Sequence, residues 1–477
     1  VEPHEELKAQ GLLSEFDESM GNAAFISHQW VGNVHPDPES KKLRVLQNAL
    51  KHVLCGVGNI PFDIFTEMFF PRAKPVPVSD LQERRAGEAG SESSLASAID
   101  SIPGYIARCK FFFALCPVVE SESLGKVFTG LSWGERGWCR IERVLRELSP
   151  DPSWIMIKGN TELELTASSS ACFIVQSAGE GQFTRKDDRT KLAQVLQHAL
   201  RRKLRLLLMA EDLVGYRVHL NLQSIHLRGF PAEATDDLVP GFEPDSFEQD
   251  ACTLSAQRFL YQNGFATVHE VDAGGWSPGH YAALRGDPLV MQGLLQLRAD
   301  INRWTRKDQP LAGSTVGFTM LGTAAFFKHH QLMAGSRPFK KNLMGDSALE
   351  YAATWASLEG LEELLLQAGL SVAARVVFSA KSFQHRFGRR TLTSRWAYHR
   401  GHQTPLMAAV MSRQYEGAAA LIAAGARLDL RNSRNWTAAD FAAGQSVPEF
   451  LMEAFEGQLE GCQRVAALAL ANARVEV

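Results

Sequence analysis

The chain has 477 residues, of which 45% are apolar and 22% charged, and this balance excludes a disordered or collagen-like protein. Its 50 basic and 53 acidic residues nearly cancel, so net charge gives no general attraction to nucleic acid or to anionic membranes. A chain of this length predicts roughly three domains, each large enough to bury a core without disulfides.

The cysteines and the apolar runs bear on the compartment. Seven scattered cysteines without a C-x-x-C pair argue against a disulfide framework and against a thiolate zinc site. No segment approaches the roughly 18 uninterrupted apolar residues of a membrane helix, because Arg108 and Lys110 interrupt the best candidate. We therefore expect a soluble intracellular protein in a reducing compartment, without a membrane span. It would be cytoplasmic, or organellar after loss of a targeting segment.

The first part of the chain, 23–160 after an N-terminal extension at 1–22, has an α/β pattern. Short apolar runs predict three buried strands of a parallel sheet, at 23–27, 111–116 and 154–157. An amphipathic helix is predicted at 40–54, with Leu43, Leu46, Leu50 and Val53 on its apolar face. A segment rich in Pro, Gly, Ser and Glu, 71–94, predicts a long loop.

The middle of the chain divides into a helical or mixed extension, 161–231, and an acidic linker, 232–264. The extension holds a predicted helix at 187–208, with basic residues near its end. That basic cluster fits ordinary helix C-terminal chemistry better than a binding site. The linker prediction follows from seven acidic residues, two prolines and no Lys or Arg in 232–251.

The last part of the chain repeats a short phrase. Gly275-Trp276-Ser277-Pro278-Gly279-His280-Tyr281-Ala282-Ala283 is echoed at 317–325, 345–353, 404–409 and 437–443. The phrase resembles the opening of the ankyrin repeat. A Ser or Thr would cap the first helix of each unit, and paired alanines would let neighbouring helices approach closely.

The repeat spacing supports this resemblance and marks irregularities. Thr404 and Thr437 lie 33 residues apart, which is the ankyrin period. Other intervals are longer or shorter, so we expect about five irregular repeats over 265–455, with insertions at 307–314 and 372–400. A C-terminal helix is expected at 456–477.

The head resembles a Toll/interleukin-1 receptor (TIR) domain. The resemblance is carried by Phe25-Ile26-Ser27-His28-Gln29-Trp30, by the apolar strand near 111–116, and by Gly137-Trp138-Cys139-Arg140 followed by Glu142. It implies a flavodoxin-like α/β fold over about 23–160. With its S-H-Q-W and G-W-C-R-x-E phrases, the head also resembles one found on ankyrin proteins of unicellular eukaryotes.

The TIR resemblance implies a possible chemistry at Glu142. This residue matches the glutamate of NAD-cleaving TIR domains, where a carboxylate stabilises the positive centre that forms as nicotinamide leaves. Ser27, His28 and Trp30 would then contact the nucleotide. An alternative is an exposed i, i+4 ion pair between Glu142 and Arg146. The altered 71–94 loop and an extra segment, 120–137, depart from the family pattern.

Three other residue sets have competing interpretations. His28 is either a base at the sheet edge or a packed, hydrogen-bonded histidine, and the second is favoured. Cys139 beside Arg140 is either a nucleophile or a buried structural thiol, and again the second is favoured. The adjacent pair His329 and His330 diverges on a helix, so no metal site is predicted. No cofactor is expected, unless NAD is a substrate.

The interaction surface predicted from these patterns lies in the repeats. The 372–400 insertion is basic and interleaved with aromatics, which suits an acidic protein surface, although its aromatics could instead cap the repeat core. Insertions should project toward the partner, and exposed Trp and Arg contribute most interface energy. The predicted contacts are Trp276, Trp304, Arg389, Arg390, Trp396 and Trp436.

The sequence thus predicts a multidomain protein with a flavodoxin-like, TIR-like head followed by an all-α ankyrin solenoid. The favoured function is a non-catalytic scaffold or peripheral assembly subunit that binds a protein partner of unknown identity. Nucleic-acid binding is not indicated. The alternative is an NAD-hydrolysing head that is regulated by the repeats.

Overall fold

The computed structural model describes most of the chain in two compact units. The described residues are 22–32, 35–63, 66–67, 73–82, 95–121, 124, 126–166, 177–185, 187–244, 250–314, 316–329, 332, 348–349, 402–411, 415–443 and 447–473. Unit 1 comprises Val1–Asp212 and Gln223–Thr235, and unit 2 comprises Leu213–Leu222 and Asp236–Val477. The predicted contacts Arg389, Arg390 and Trp396 lie outside the described residues, as does nearly all of the 1–22 extension.

Unit 1 is an α/β structure. Its strands are β1 (Ala24–His28), β2 (Phe111–Leu115), β3 (Val119–Ser121), β4 (Lys126–Phe128), β5 (Trp154–Ile157) and β6 (Leu163–Thr166). Its helices are α1 (Lys41–Cys55), α2 (Val78–Gln82), α3 (Leu95–Arg108), α4 (Gly130–Glu135), α5 (Gly137–Leu148) and α6 (Asp187–Met209). The positions of the three strands and two helices predicted for this unit are therefore confirmed, each within one or two residues, but β1 is not the buried strand that was predicted.

The main sheet of unit 1 is mixed rather than wholly parallel. Its order is β1-β2-β5-β6, with β1, β2 and β5 parallel and β6 antiparallel to β5. The connection from Ile157 to Leu163 is a short hairpin, and a parallel crossover would need about a dozen residues or more. The prediction of a purely parallel sheet is corrected here. Strand β6 lies in the 161–231 range that was predicted as an extension of the head, and it joins the sheet of unit 1.

The edge of this sheet differs from the flavodoxin-like order, in which the first strand lies between the second and the third. Among the described strands β1 lies at one edge. The segment after α1 reaches the opposite edge, where Phe62 forms a parallel bridge with Leu165. The family assignment of the head stays a prediction.

The core of unit 1 lies on both faces of the sheet. One cluster joins Phe112, Trp133, Ile141 and Trp154 to helix α6, and the other joins α1 to Phe111, Phe113, Ile155 and Ile157. Strands β2 and β5 are buried on both faces, which explains their continuous apolar character, whereas β1 at the edge is largely uncovered. Helix α1 buries Lys42, Leu46, Ala49 and Val53, whereas the predicted Leu43 is largely exposed.

Unit 2 is helical in its described part. Its helices are α7 (Leu213–His226, whose last residues belong to unit 1), α8 (Ala251–Asn263), α9 (Pro278–Arg285), α10 (Pro288–Gln296), α11 (Met320–Phe326), α12 (Pro405–Met411), α13 (Tyr415–Ala423), α14 (Ala438–Ala443), α15 (Glu449–Phe455) and α16 (Glu460–Ala473). A 3-10 turn lies at Pro310–Ala312. None of the described helices is long and apolar enough to cross a membrane.

The range 232–264, predicted as a linker, is not a linker throughout. Helix α8 occupies its second half and packs against α10. In its first half, Asp236 pairs with Arg285 and Asp237 pairs with Arg258. The acidic side chains are thus used in ion pairs within unit 2 rather than only in solvation.

Helical pairs recur in unit 2 with the same capping. Thr319 Oγ accepts from the N–H of Gly322 over 3.0 Å, Thr404 from that of Met407 over 3.2 Å, and Thr437 from that of Asp440 over 3.3 Å. The alanine pairs that follow Ser277, Thr319 and Thr404 are all buried. They are Ala282 and Ala283, Ala324 and Ala325, and Ala408 and Ala409. Helix α9 packs on α11, and α12 packs on α14. The ankyrin assignment itself stays a prediction.

Candidate functional site

A polar cluster lies at the carboxyl end of β1 in unit 1. We call Ser27, Lys42, Trp133, Cys139 and Glu142 the edge cluster. Ser27 is the one fully buried residue of β1, Lys42 belongs to α1, and Trp133 belongs to α4. Cys139 and Glu142 lie one turn apart on α5, which packs against β1. Open α/β sheets bind ligands at the carboxyl ends of their strands.

The Ser27 hydroxyl is the centre of the edge cluster. It accepts a hydrogen bond from Trp133 Nε1 over 3.2 Å. Since an indole N–H can only donate, the Ser27 proton remains available for a second group. Both Glu142 and Cys139 lie near enough to Ser27 for its hydroxyl to oppose the rise in their pKa.

Glu142 is the residue of the edge cluster whose pKa is brought near neutral pH. Desolvation of its carboxyl group raises its pKa to about 7, and the Ser27 hydrogen bond opposes this shift. The residue as a whole retains some exposed surface. At neutral pH, Glu142 therefore exists in both protonation states, as a general acid or base requires.

The alternative interpretation of Glu142, an exposed ion pair with Arg146, is wrong. Arg146 is buried and donates to the carbonyl oxygens of Ser153, Cys109 and Lys110 at 2.7–2.8 Å. The i, i+4 pair of this helix is Arg143 with Glu147, whose atoms lie 2.9 Å apart in the core. An ion pair within its own helix therefore does not account for the carboxyl group of Glu142.

Lys42 is a buried cation that the sequence analysis missed. Its Nζ donates to the backbone oxygen of Gln29 over 3.0 Å, and burial lowers its pKa to about 8. The signal was present in the sequence, because Lys42 shares the helical spacing of Leu46, Ala49 and Val53. A lysine in phase with an apolar stripe is a candidate buried cation.

Gln29 continues this polar region beyond the strand. Its Nε2 donates to Ser132 Oγ over 2.8 Å, whereas its buried Oε1 has no partner among the described residues. Ser132 and Trp133 both come from the extra segment 120–137. That segment, which departs from the TIR pattern, thus supplies two side chains to the site.

The other residues predicted for the head have separate roles. His28 is partly buried, and its pKa is lowered by burial and then by Lys42. Trp30 is 54% exposed. Cys139 is buried, and desolvation followed by the Glu142 charge raises its pKa, so it is a structural thiol rather than a nucleophile.

The start of α5 is fixed by close packing. A Cβ atom at Gly137 would lie 2.2 Å from the Phe183 ring, so only glycine fits there. Trp138 Nε1 donates to Asp188 over 3.0 Å, which ties the first turn of α5 to α6. These contacts position Cys139 and Glu142 against β1.

The predicted contact residues of unit 2 are divided between core and surface. Trp276 is fully buried beside Tyr281 and His280, so its prediction as a partner contact is wrong. Trp304 is 53% exposed and Trp436 is 40% exposed, as predicted. The 307–314 insertion does not project as expected, since Gln309, Ala312 and Ser314 are buried and Gln309 pairs with Ser314.

Trp276 and Trp436 occupy equivalent turns. The N–H of Trp276 donates to Asp272 Oδ1 and that of Trp436 to Asn432 Oδ1, at 3.1 and 3.0 Å. A left-handed residue precedes each tryptophan, with φ of 78° at Gly275 and 66° at Asn435. The same turn therefore holds one indole in the core and one at the surface.

No metal site is visible in the part of the chain that the structure describes, where no group of three or more His, Cys, Asp or Glu side chains could hold an ion. His329 instead bonds to the Leu284 carbonyl oxygen through Nε2.

No family model matches the chain, and a search of curated proteins found no match.

Proposed function

We propose that the chain is a protein-binding scaffold whose contact surface is formed by the turn tips of unit 2, with Trp304 and Trp436 as anchors. The observation that carries this proposal is the contrast within one turn design. On equivalent turns, Trp276 is packed in the core and Trp436 remains 40% exposed. Trp304 is 53% exposed on a separate turn. Large exposed indoles on rigid turns suit an interface.

The backbone support of Trp304 strengthens this interpretation. Trp304 forms an antiparallel bridge with Thr319, and the next N–H, that of Thr305, donates to the Phe318 oxygen over 2.8 Å. The turn is thus ordered by its main chain and not by burial of the indole. A partner could bind the ring without a large loss of backbone entropy.

Affinity capture with the full-length chain tests the scaffold function. Partners retained from an extract of its native cells would be quantified for the wild type and for the Trp304→Ala/Trp436→Ala variant. Met209→Ala, which removes an exposed apolar side chain of unit 1, is the control. The double variant should lose its partners and the control should keep them. Equal retention by all three proteins would contradict the proposal.

A second candidate function, NAD hydrolysis by unit 1, has support from a different observation. Desolvation raises the pKa of Glu142 to about 7, and the residue keeps some exposed surface near Ser27 at the carboxyl end of β1. Its carboxylate would stabilise the oxocarbenium-like ribose as the bond to nicotinamide breaks and water adds. The ionised form is needed, so activity should rise from about pH 6 to about pH 8.

Nicotinamide release from NAD by the purified full chain tests this second function. Glu142→Gln should abolish release, because an amide cannot supply the negative charge. Glu135→Gln, an exposed carboxylate in the preceding helix, should leave it unchanged. Absence of release by the wild type, or release by the Glu142→Gln variant, would exclude the role assigned to Glu142.

A further inference from the structure

A groove between α3 and α6 of unit 1 lies apart from the edge cluster. It encloses about 760 Å³ and is lined by both helices, which pack against each other. Its floor includes Pro103, Val195 and Ala199, and its sides include Arg108, His198 and Arg202. Among the described residues that line it, none is acidic.

The groove exists because α3 has small or backbone-constrained residues at this point. Pro103 lies inside the helix and Gly104 follows it. A Cβ atom added at Gly104 would meet no heavy atom within 4 Å, so the space above this glycine is open. The chain therefore leaves room for a side chain from another molecule.

The two guanidinium groups of the groove are available for binding. Arg108 and Arg202 are exposed, and neither has a hydrogen-bond or ion-pair acceptor among the described residues. Other basic residues near the end of α6 are engaged differently: Arg201 donates to Thr235 over 2.8 Å and Lys203 to the Ser149 oxygen over 3.4 Å. Planar guanidinium groups match carboxylates in a two-point geometry.

We propose that the α3/α6 groove binds an acidic peptide segment of a partner protein, with an apolar side chain above Gly104 and glutamate or aspartate carboxylates on Arg108 and Arg202. The charge complementarity and the apolar floor together favour a peptide. A nucleic-acid backbone would need a longer track of cations and stacking aromatics, and the groove offers two arginines, one histidine and Tyr105. This proposal is independent of the function assigned to Trp304 and Trp436.

The test uses the full chain and a fluorescein-labelled synthetic peptide in which glutamates flank a leucine and a phenylalanine. Binding is followed by fluorescence anisotropy at low and at high salt. The wild type should bind this peptide, bind a lysine counterpart at least about tenfold more weakly, and lose affinity as salt increases. Binding of the two peptides with equal affinity would overturn the proposal.

Two sets of variants make the test specific for the groove. Arg108→Ala/Arg202→Ala and Gly104→Glu should each weaken binding by about tenfold or more, through lost charge pairing and through occupation of the groove. Gly104→Ala and Arg205→Ala, the latter an exposed arginine of α6 that does not line the groove, should bind as the wild type. Unchanged binding in the first set, or an equal loss for Arg205→Ala, would overturn the proposal.

A duplex oligonucleotide and phosphatidylserine vesicles complete the experiment. Both should bind more weakly than the acidic peptide and show no dependence on Gly104. Tighter binding of either probe, lost in the Arg108→Ala/Arg202→Ala variant, would assign the groove to phosphates and overturn the peptide proposal.

Discussion

Trp133 Nε1 donates a hydrogen bond to Ser27 Oγ over 3.2 Å, across 106 residues of sequence. Both side chains are buried, so neither can exchange this bond for one to water. Because the indole N–H occupies an acceptor site of Ser27, the serine keeps its own proton for a neighbouring group such as Glu142 or Cys139. A residue of the 120–137 segment thus contacts the centre of the edge cluster.

The ionisation of Glu142 predicts a stability that depends on pH. Its pKa in the folded state, about 7, lies above the usual value of 4.5, so folding favours the protonated form. Wild-type stability should therefore fall as pH rises through this interval and level off above it. Glu142→Gln removes the charge, and urea unfolding should show it about 1–2 kcal/mol more stable than the wild type near pH 8, after allowance for partial exposure.

At about pH 4.5 the two proteins should have similar stability, because the carboxyl group is then protonated in the folded state. Glu135→Gln, which removes an exposed carboxylate, should not reproduce the gain near pH 8. A Glu142→Gln variant that is less stable than the wild type across the whole range would show that the carboxylate is not desolvated.

The lowered pKa of Lys42 predicts a stability that rises with pH, opposite to the effect of Glu142. Its folded pKa of about 8 lies below its ordinary value of 10.5, so burial of the charge destabilises the wild type below about pH 8. The penalty should disappear between about pH 8 and 10.5. Relative to the wild type, Lys42→Met should therefore lose about 2–3 kcal/mol of stability as pH rises through this window. Urea unfolding at about pH 8 and at about pH 10.5 measures this loss of stability.

Lys51, on the exposed side of the same helix, provides the control for that experiment. Lys51→Met should follow the wild-type pH dependence. If Lys42→Met and Lys51→Met behave alike, then Lys42 is solvated in solution and its place in the edge cluster is wrong.

Much of unit 1 could be predicted because its strands are continuous apolar runs. All side chains of residues 111–116 are apolar, so this strand is stable only in a sheet that is covered on both faces. The antiparallel β6 was not predicted, since its Leu163-Glu164-Leu165-Thr166 is short and carries a partly buried glutamate that bonds to Lys158. Its place depends on pairing with β5, which is a tertiary contact.

Contacts between distant residues in the candidate sites could not be predicted from the local sequence. Ser27 and Glu142 were predicted separately from the TIR resemblance, but nothing in the local pattern indicated that Trp133 would bond to Ser27. Likewise the phrases around Trp276 and Trp436 look alike and form the same turn. Only their neighbours decide burial, and Trp276 is covered by Tyr281 and His280.

The different burial of these two tryptophans predicts different costs of truncation. Trp276→Ala should destabilise unit 2 by about 3–5 kcal/mol, the range for a large aromatic removed from a packed core. Trp436→Ala should cost less than half as much, since its ring is 40% exposed. Urea unfolding followed by circular dichroism compares them. Equal costs would contradict the placement of Trp276 in the core.

The Asp272 carboxylate predicts a strong electrostatic contribution to unit 2. It accepts from Arg217 over 3.2 Å, from the Tyr281 hydroxyl over 2.7 Å and from the Trp276 N–H over 3.1 Å, and it is almost fully buried. Asp272→Ala should therefore cost about 3–5 kcal/mol, because it leaves a buried charge without its partner.

The exposed pair of Arg427 and Asp429 provides a comparison in the same unit. Asp429→Ala should cost less than about 1 kcal/mol, as is usual for surface pairs. Both variants can be measured by urea unfolding at one pH. If Asp272→Ala costs no more than Asp429→Ala, then the Asp272 network does not form as described.

Site-specific photocross-linking tests the scaffold function most directly. A benzoylphenylalanine placed at Trp304, and separately at Trp436, would be irradiated in an extract of the native cells, with Val57 and Met209 as exposed control positions in unit 1. Both tip positions should give the same covalent partner, identified by mass spectrometry, and the control positions should not. Absence of an adduct at the tips, or the same adduct at all four positions, would contradict the proposed binding surface.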